Sequence, residues 1–101
     1  MRTIVFEVTR PMNESTWYEY RYFCDGELAA KARYGEYIFL QVDDNAHTLR
    51  CEEYLYSAAR SRPVCTNTSD MVFLPAGTED LRIMLREELG RLCFAVQIFL
   101  P

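Results

Sequence analysis

Residues 16–34 have the sequence TWYEYRYFCDGELAAKARY, in which an Asp-Gly pair follows a run of alternating aromatic residues. Asp-Gly between two β-type segments favours a two-residue type I′ turn, whose central residues both need positive φ. With Asp25 and Gly26 in those positions, residue 24 pairs with 27, 23 with 28, and so on outward to 17 with 34. Residues 27–33 also have high helix propensity, but the Asp-Gly context favours a hairpin over a short helix.

The expected register places three tyrosines and two cations on one face of this hairpin. Tyr18 lies opposite Arg33 and Tyr20 opposite Lys31 in that register, with Tyr22 beside them. We call these five residues the tyrosine ladder. Its side chains either stabilise the strand pair across the sheet or form a surface on which a partner binds, since tyrosine and arginine anchor many interfaces.

The length and composition indicate one globular domain spanning residues 1–101. Charged residues make up 26% of the chain, which is close to the globular average and argues against disorder. The first apolar segment contains Glu7, which is atypical of a signal peptide, and the apolar run 92–100 is too short to span a membrane. We therefore expect a cytoplasmic protein, no membrane partner, and cysteines that are free thiols.

Alternation of apolar residues predicts strands, and a period near 3.6 predicts helices. The segment 79–89 places Leu81, Met84, Leu85 and Leu89 on one stripe, with Thr78 as N-cap, and the segment 47–60 fits a helical face better than alternation. The expected strands cover residues 3–9, 16–24, 27–34, 36–42, 71–74 and 92–100. These elements predict an α+β fold, with a mainly antiparallel sheet of five to six strands and two helices on one face. The segments 36–42 and 92–100 are expected inside the sheet because they are largely apolar.

Residues suited to catalysis or metal binding are sparse. The single histidine, His47, stands four residues before Cys51, so a helix would allow a Cys-His dyad. A metal site built from His47, Cys51 and Cys65 with Cys24 or Cys93 can also be drawn, but the close cysteine pairs of structural zinc modules are absent. We expect no enzymatic activity, no catalytic or metal site and no cofactor.

A small acidic domain without catalytic motifs is typical of proteins that act by binding. The sequence therefore predicts a protein-binding domain that uses the tyrosine ladder. The expected type is a small inhibitor, of the immunity, antitoxin or phage anti-defence kind, that occludes a partner protein's surface. A net charge of −4 argues against a nucleic-acid partner. The alternative is nevertheless a single-stranded RNA-binding domain, because bases could stack on the aromatic and basic residues of the same face. A homodimer through a sheet edge or aromatic face is a further alternative.

Overall fold

Nine strands and no helix make up the part of the chain that the computed structural model describes, which is residues 1–8, 16–33, 36–88 and 91–98. Side chains are described in these ranges except at residues 8, 16 and 86–98. The strands are β1 (Arg2–Val8), β2 (Thr16–Cys24), β3 (Glu27–Arg33), β4 (Ile38–Val42), β5 (His47–Ser57), β6 (Val64–Thr68), β7 (Val72–Leu74), β8 (Leu81–Glu88) and β9 (Arg91–Ile98).

The strands form two sheets that pack face to face. Sheet 1 has the order β4-β1-β8-β9, in which β1 and β8 run parallel and the other pairs antiparallel. Sheet 2 has the order β3-β2-β5-β6, with β7 also paired to β5, and all its pairs are antiparallel. Because β3 lies against β4 and β6 against β9, the edges of the two sheets face each other. The fold is a β-sandwich.

The core lies between the sheets and takes every second residue of the strands. Phe6 of sheet 1 stacks on Tyr22 of sheet 2 with ring centroids 4.1 Å apart. Around this pair, the buried apolar residues of the two sheets meet, as the alternation of side chains in strands requires. They are Ile4, Val42, Leu81, Ile83 and Leu85 from sheet 1, and Tyr20, Ala32, Leu49, Cys51 and Leu74 from sheet 2.

The predicted helix over residues 47–60 is wrong, because this segment contains the eleven-residue strand β5. Leu49, Cys51 and Glu53 all point into the core, and Tyr54 and Tyr56 point outward. The alternation is not apparent in the sequence, because the inward Glu53 is charged and the outward Tyr54 and Tyr56 are aromatic. β5 pairs with β2, β6 and β7, and these pairings outweigh the local helix preference.

The predicted helix over residues 79–89 is also wrong, since residues 81–88 form β8, which pairs with β1 and β9. Leu81, Ile83 and Leu85 are buried at alternate positions, whereas Met84 lies on the outer face. Ile83 fits the alternation of a strand but not the predicted helical stripe. Because Met84 on the outer face is also apolar, this segment matches both the strand period and the helix period. Leu89 and Gly90 lie outside the described residues. The α+β fold class is therefore corrected to all-β.

The predicted strands are confirmed for β1, β2, β3, β4, β7 and β9, but the predicted place within the sheet is wrong for two of them. β4 and β9 end the order of sheet 1 among the described strands, so the prediction that they lie inside the sheet is wrong. β4 leaves Phe39 68% exposed, so an apolar strand here does not mean a central one. No described residue belongs to a helix long and apolar enough to cross a membrane.

The Asp25–Gly26 hairpin is confirmed. Asp25 has φ 52° and Gly26 has φ 84°, the positive values that a type I′ turn needs at both positions. Cys24 pairs with Glu27 and Phe23 with Leu28, as expected. Beyond them the register shifts by one residue at Ala29, so that Tyr22 pairs with Ala30 and the outer strand partners differ from the prediction.

Candidate functional site

The structure separates the five residues of the tyrosine ladder into two faces of sheet 2. Tyr20 is 0% exposed and Tyr22 is 1% exposed, and Tyr18 packs beside them against the core. Lys31 and Arg33 are exposed on the opposite, outer face, where they pair with Arg21 and Glu19. The prediction that all five share one face is wrong, because the bulge at Ala29 moves both cations across the sheet relative to the tyrosines.

The outer face of sheet 2 combines other aromatic residues with these two cations. It is built by alternate residues of three neighbouring strands, β3, β2 and β5, and the register places their side chains in rows across the sheet. We call it the arginine–aromatic face. Its members are Trp17, Glu19, Arg21, Phe23, Lys31, Arg33, Arg50, Glu52, Tyr54 and Tyr56.

Arginine side chains cover the rings of this face. The Arg21 guanidinium carbon lies 3.8 Å from the centroid of the Tyr54 ring, and that of Arg50 lies 4.3 Å from the Phe23 ring. Trp17 stacks on Tyr56 with ring centroids 5.5 Å apart and planes inclined by 11°. These contacts hold long side chains in defined positions.

Two carboxylates complete the face. Arg21 Nε donates to Glu19 Oε1 at 2.9 Å, and Arg50 Nη1 donates to Glu52 Oε2 at 2.8 Å. The hydrogen bond from Arg50 lowers the pKa of Glu52, and that with Glu19 raises the pKa of Arg21. The arrangement is an interleaved network of cations, rings and carboxylates, and no nucleophile contacts a base among the described residues of the face.

The odd-numbered residues of β2 already indicate this face in the sequence. Trp17, Glu19, Arg21 and Phe23 alternate with the tyrosines, and their mixture of charge with aromatic surface suits a half-buried outer face. The outward residues of β5 could not be identified while residues 47–60 were taken as a helix.

A second cluster surrounds His47 where β5 begins beside the hairpin turn. His47 Nδ1 lies 2.6 Å from Asp25 Oδ2 and Nε2 lies 2.7 Å from Asp43 Oδ1. The hydrogen bond with Asp25 raises the pKa of His47, and the same bond lowers that of Asp25. Cys24 Sγ lies 3.8 Å from Asp25 Oδ2, and burial raises the pKa of this thiol.

Neither the His47–Cys51 dyad nor the metal site drawn with Cys51 and Cys65 forms. Four residues along a strand span about 13 Å, so His47 and Cys51 are not in contact distance once this segment is a strand. Cys51 is 0% exposed in the core, and burial raises the pKa of its thiol far above the usual range. Cys65 is exposed on β6, and Cys24, Cys51 and Cys65 are free thiols. The Cys93 side chain lies outside the described residues.

A cavity of about 170 Å³ lies elsewhere, between β1, β7 and the loop that precedes β8. Arg2, Phe73, Leu74, Glu79 and Leu81 are among its lining residues. The Arg2 side chain is buried, and its Nη2 donates to the carbonyl oxygens of Asn45 and Pro75 at 3.2 and 2.9 Å. The cavity is smaller than the roughly 300–1,000 Å³ typical of small-molecule sites, and the arginine is used to hold the neighbouring loops.

Comparison of the chain with protein-family models, with curated proteins and with solved structures finds no match.

Proposed function

We propose that this protein is a non-enzymatic binding domain that covers an acidic surface of a partner protein with its arginine–aromatic face. The observation that carries the proposal is the concentration of positive charge on a preordered aromatic surface. Within this narrower role, we propose an inhibitor that acts by occlusion, because a surface that binds without performing chemistry can still block a partner's own site.

Charge complementarity supports an acidic partner surface. Among the described residues, the face contains four cations, Arg21, Lys31, Arg33 and Arg50, against the two carboxylates of Glu19 and Glu52, in a chain with net charge −4. Arg21 and Arg50 are each neutralised by a carboxylate neighbour, whereas Lys31 and Arg33 are exposed at the β3 side of the face. A local excess of positive charge would steer an acidic patch toward β3.

The types of side chain on this face, and the contacts that hold them, favour tight binding of a partner. Arginine, tryptophan and tyrosine are the residues that most often dominate binding energy at interfaces. Here they are held by ring stacking and by cation–π contacts before any partner arrives. Because their conformations are already restricted, binding would lose less side-chain entropy than it would at a mobile surface.

The same contacts favour a protein over single-stranded RNA. Base stacking needs a free ring face, but Arg21 covers Tyr54 and Arg50 covers Phe23, while Trp17 and Tyr56 stack on each other. Stacking bases would have to displace these contacts. RNA binding is therefore the competing outcome of the experiment below.

The test compares two charge-reversed variants in affinity capture from the native host, with nuclease treatment of each lysate. Lys31→Glu with Arg33→Glu changes the proposed face. Arg60→Glu with Arg62→Glu, at exposed positions outside β3, β2 and β5, makes the same change in net charge. We expect the first variant to lose a nuclease-resistant protein partner that the wild type and the second variant both retain, with melting temperatures within a few degrees.

Three results would overturn the proposal. The first is equal capture of the partner by the wild type and both variants. The second is equal loss in both variants, which would indicate a response to net charge alone. The third is loss of all bound material from the wild type after nuclease treatment, which would establish RNA as the ligand.

A further inference from the structure

Three side chains of different metal-binding chemistry meet at the tip of the β2–β3 hairpin. A thiol from Cys24, a carboxylate from Asp25 and the imidazole of His47 each offer a ligand atom, and these atoms all lie within 4.8 Å of one another. The cluster lies beyond the arginine–aromatic face and has no role in the function proposed above. We propose that Cys24, Asp25 and His47 bind a Zn²⁺ ion, with water in the fourth position.

The distance between the Cys24 and Asp25 ligand atoms is close to that of a tetrahedral zinc site, and the distance between those of His47 and Asp25 is shorter. Zinc bonds of about 2.3 Å to sulfur and about 2.0–2.2 Å to nitrogen and oxygen place the ligand atoms about 3.4–3.6 Å apart. Cys24 Sγ is 3.8 Å from Asp25 Oδ2, and His47 Nδ1 is 2.6 Å from the same oxygen. The second pair must separate by about 1 Å to admit the ion, which requires a small rotation of the His47 ring or of the Asp25 carboxylate about its bond to Thr48.

The backbone holds Asp25 in a position suited to one metal bond. Its Oδ1 accepts the backbone N–H of Thr48 at 2.8 Å, while its own N–H donates to the carbonyl oxygen of Thr48 at 2.9 Å. The turn tip is thereby joined to β5, next to His47. Oδ2 is left facing the imidazole and the thiol, so the ligands come from the end of β2, the turn that follows it and the start of β5, and hydrogen bonds already connect these segments.

Asp43 adds the outer partner that a metal-bound histidine usually has. Its Oδ1 lies 2.7 Å from His47 Nε2, the ring nitrogen directed away from Asp25. In zinc sites a carboxylate commonly accepts the second N–H of the ligating histidine and so fixes the ring orientation. With Nε2–H donated to Asp43, the lone pair of Nδ1 is the one directed at Asp25 and Cys24.

The ligand set favours zinc over the common hard cations. Ca²⁺ and Mg²⁺ prefer oxygen ligands throughout, whereas thiolate with imidazole and carboxylate suits Zn²⁺. On binding, the Cys24 thiol releases its proton to solvent, and an imidazolium at His47 releases the Nδ1 proton. Zinc affinity should accordingly fall as the pH is lowered.

The test titrates chelator-treated protein with Zn²⁺, and with Co²⁺ as a spectroscopic substitute. We expect one ion per chain, a rise in melting temperature, and a sulfur-to-cobalt charge-transfer band with visible bands of tetrahedral intensity. Cys24→Ser and His47→Gln should each weaken binding by more than the roughly 10–100-fold that loss of an outer partner costs. Asp43→Asn should weaken it within that range and retain the sulfur band.

The matched control is Cys65→Ser, which removes an exposed thiol on β6. It should bind both ions like the wild type. A measurement on the wild type alone guards against variants that do not fold: Zn²⁺ should slow alkylation of Cys24 and leave that of Cys65 unchanged, as located by peptide mass spectrometry. The proposal is wrong if no ion binds at one per chain, if Cys65→Ser abolishes binding, or if Zn²⁺ leaves Cys24 unprotected.

Discussion

At the scale of single residues, two buried tyrosines on the same face of β2 differ in one hydrogen bond. Tyr20 OH donates to Glu53 Oε2 at 3.0 Å, and Thr66 Oγ1 donates to the other carboxyl oxygen at 2.8 Å. Tyr22 OH is buried without a hydrogen-bond partner among the described residues, although its ring stacks on Phe6. A buried tyrosine hydroxyl thus stabilises the fold where it has a hydrogen-bond partner and destabilises it where it has none.

This contrast predicts opposite effects of the same substitution. Tyr20→Phe removes a hydrogen bond to a buried carboxyl group and should lower the free energy of unfolding by about 1.5–3 kcal/mol. Tyr22→Phe removes only an unpartnered hydroxyl and should be neutral or stabilising by about 1 kcal/mol. Urea denaturation of both variants beside the wild type measures the difference. Equal losses in the two variants would show that Tyr22 OH has a partner of similar value.

At the scale of elements, a turn can be identified locally, but the strands that follow it are positioned by the whole sheet. The Asp25–Gly26 turn depends only on which residues tolerate positive φ. One bulged residue, Ala29, then changes which residues of β3 lie opposite β2. Since side chains alternate between faces, a shift of one residue exchanges every outward position for an inward one.

The turn makes a direct prediction about Gly26. An added Cβ at this position meets nothing within 4 Å, so Gly26→Ala tests backbone strain alone. At φ 84° we expect it to lower the free energy of unfolding by about 1–2 kcal/mol. Gly26→Asn should cost less, because asparagine tolerates the left-handed region. Thermal denaturation separates the two, and an equal loss for both residues would point to a cause other than φ.

At the scale of the whole molecule, the sandwich depends on contacts between distant parts of the chain. β1 pairs in parallel with β8, and Thr3 N–H donates to Asp80 Oδ1 77 residues away. Because β2 to β7 lie between β1 and β8 in the chain, pairing β1 with β8 closes a long loop, which costs conformational entropy. Such non-local pairing is typical of slowly folding β-proteins.

We accordingly expect refolding from urea in the millisecond to second range, slower than the microseconds to milliseconds of helical bundles of this size. Stopped-flow fluorescence of Trp17, which lies in sheet 2, measures this rate. Refolding in microseconds would contradict a topology dominated by long-range strand pairs.

This chain carries information of two kinds, one local in the sequence and one shared between distant residues. Strong alternation located β1, and the Asp-Gly pair located the β2–β3 hairpin. Alternation failed at β5 because Glu53 occupies an inward position, and at β8 because Met84 makes an outward position apolar. For the candidate sites, exposed cations at Lys31 and Arg33 were anticipated, whereas the meeting of Cys24, Asp25 and His47 depends on β5 being a strand.

Features that depend on a few neighbouring residues follow from the local sequence: the type I′ turn, the strands beside it, and the mixture of arginine with aromatic residues. Other features require contacts across the fold: which face of β2 is buried, that residues 47–57 and 81–88 are strands, and which side chains meet at His47. Turn geometry is a local property of φ, so adjacent residues are enough to identify it. Strand identity and facing are set by hydrogen bonds and burial shared with residues far along the chain.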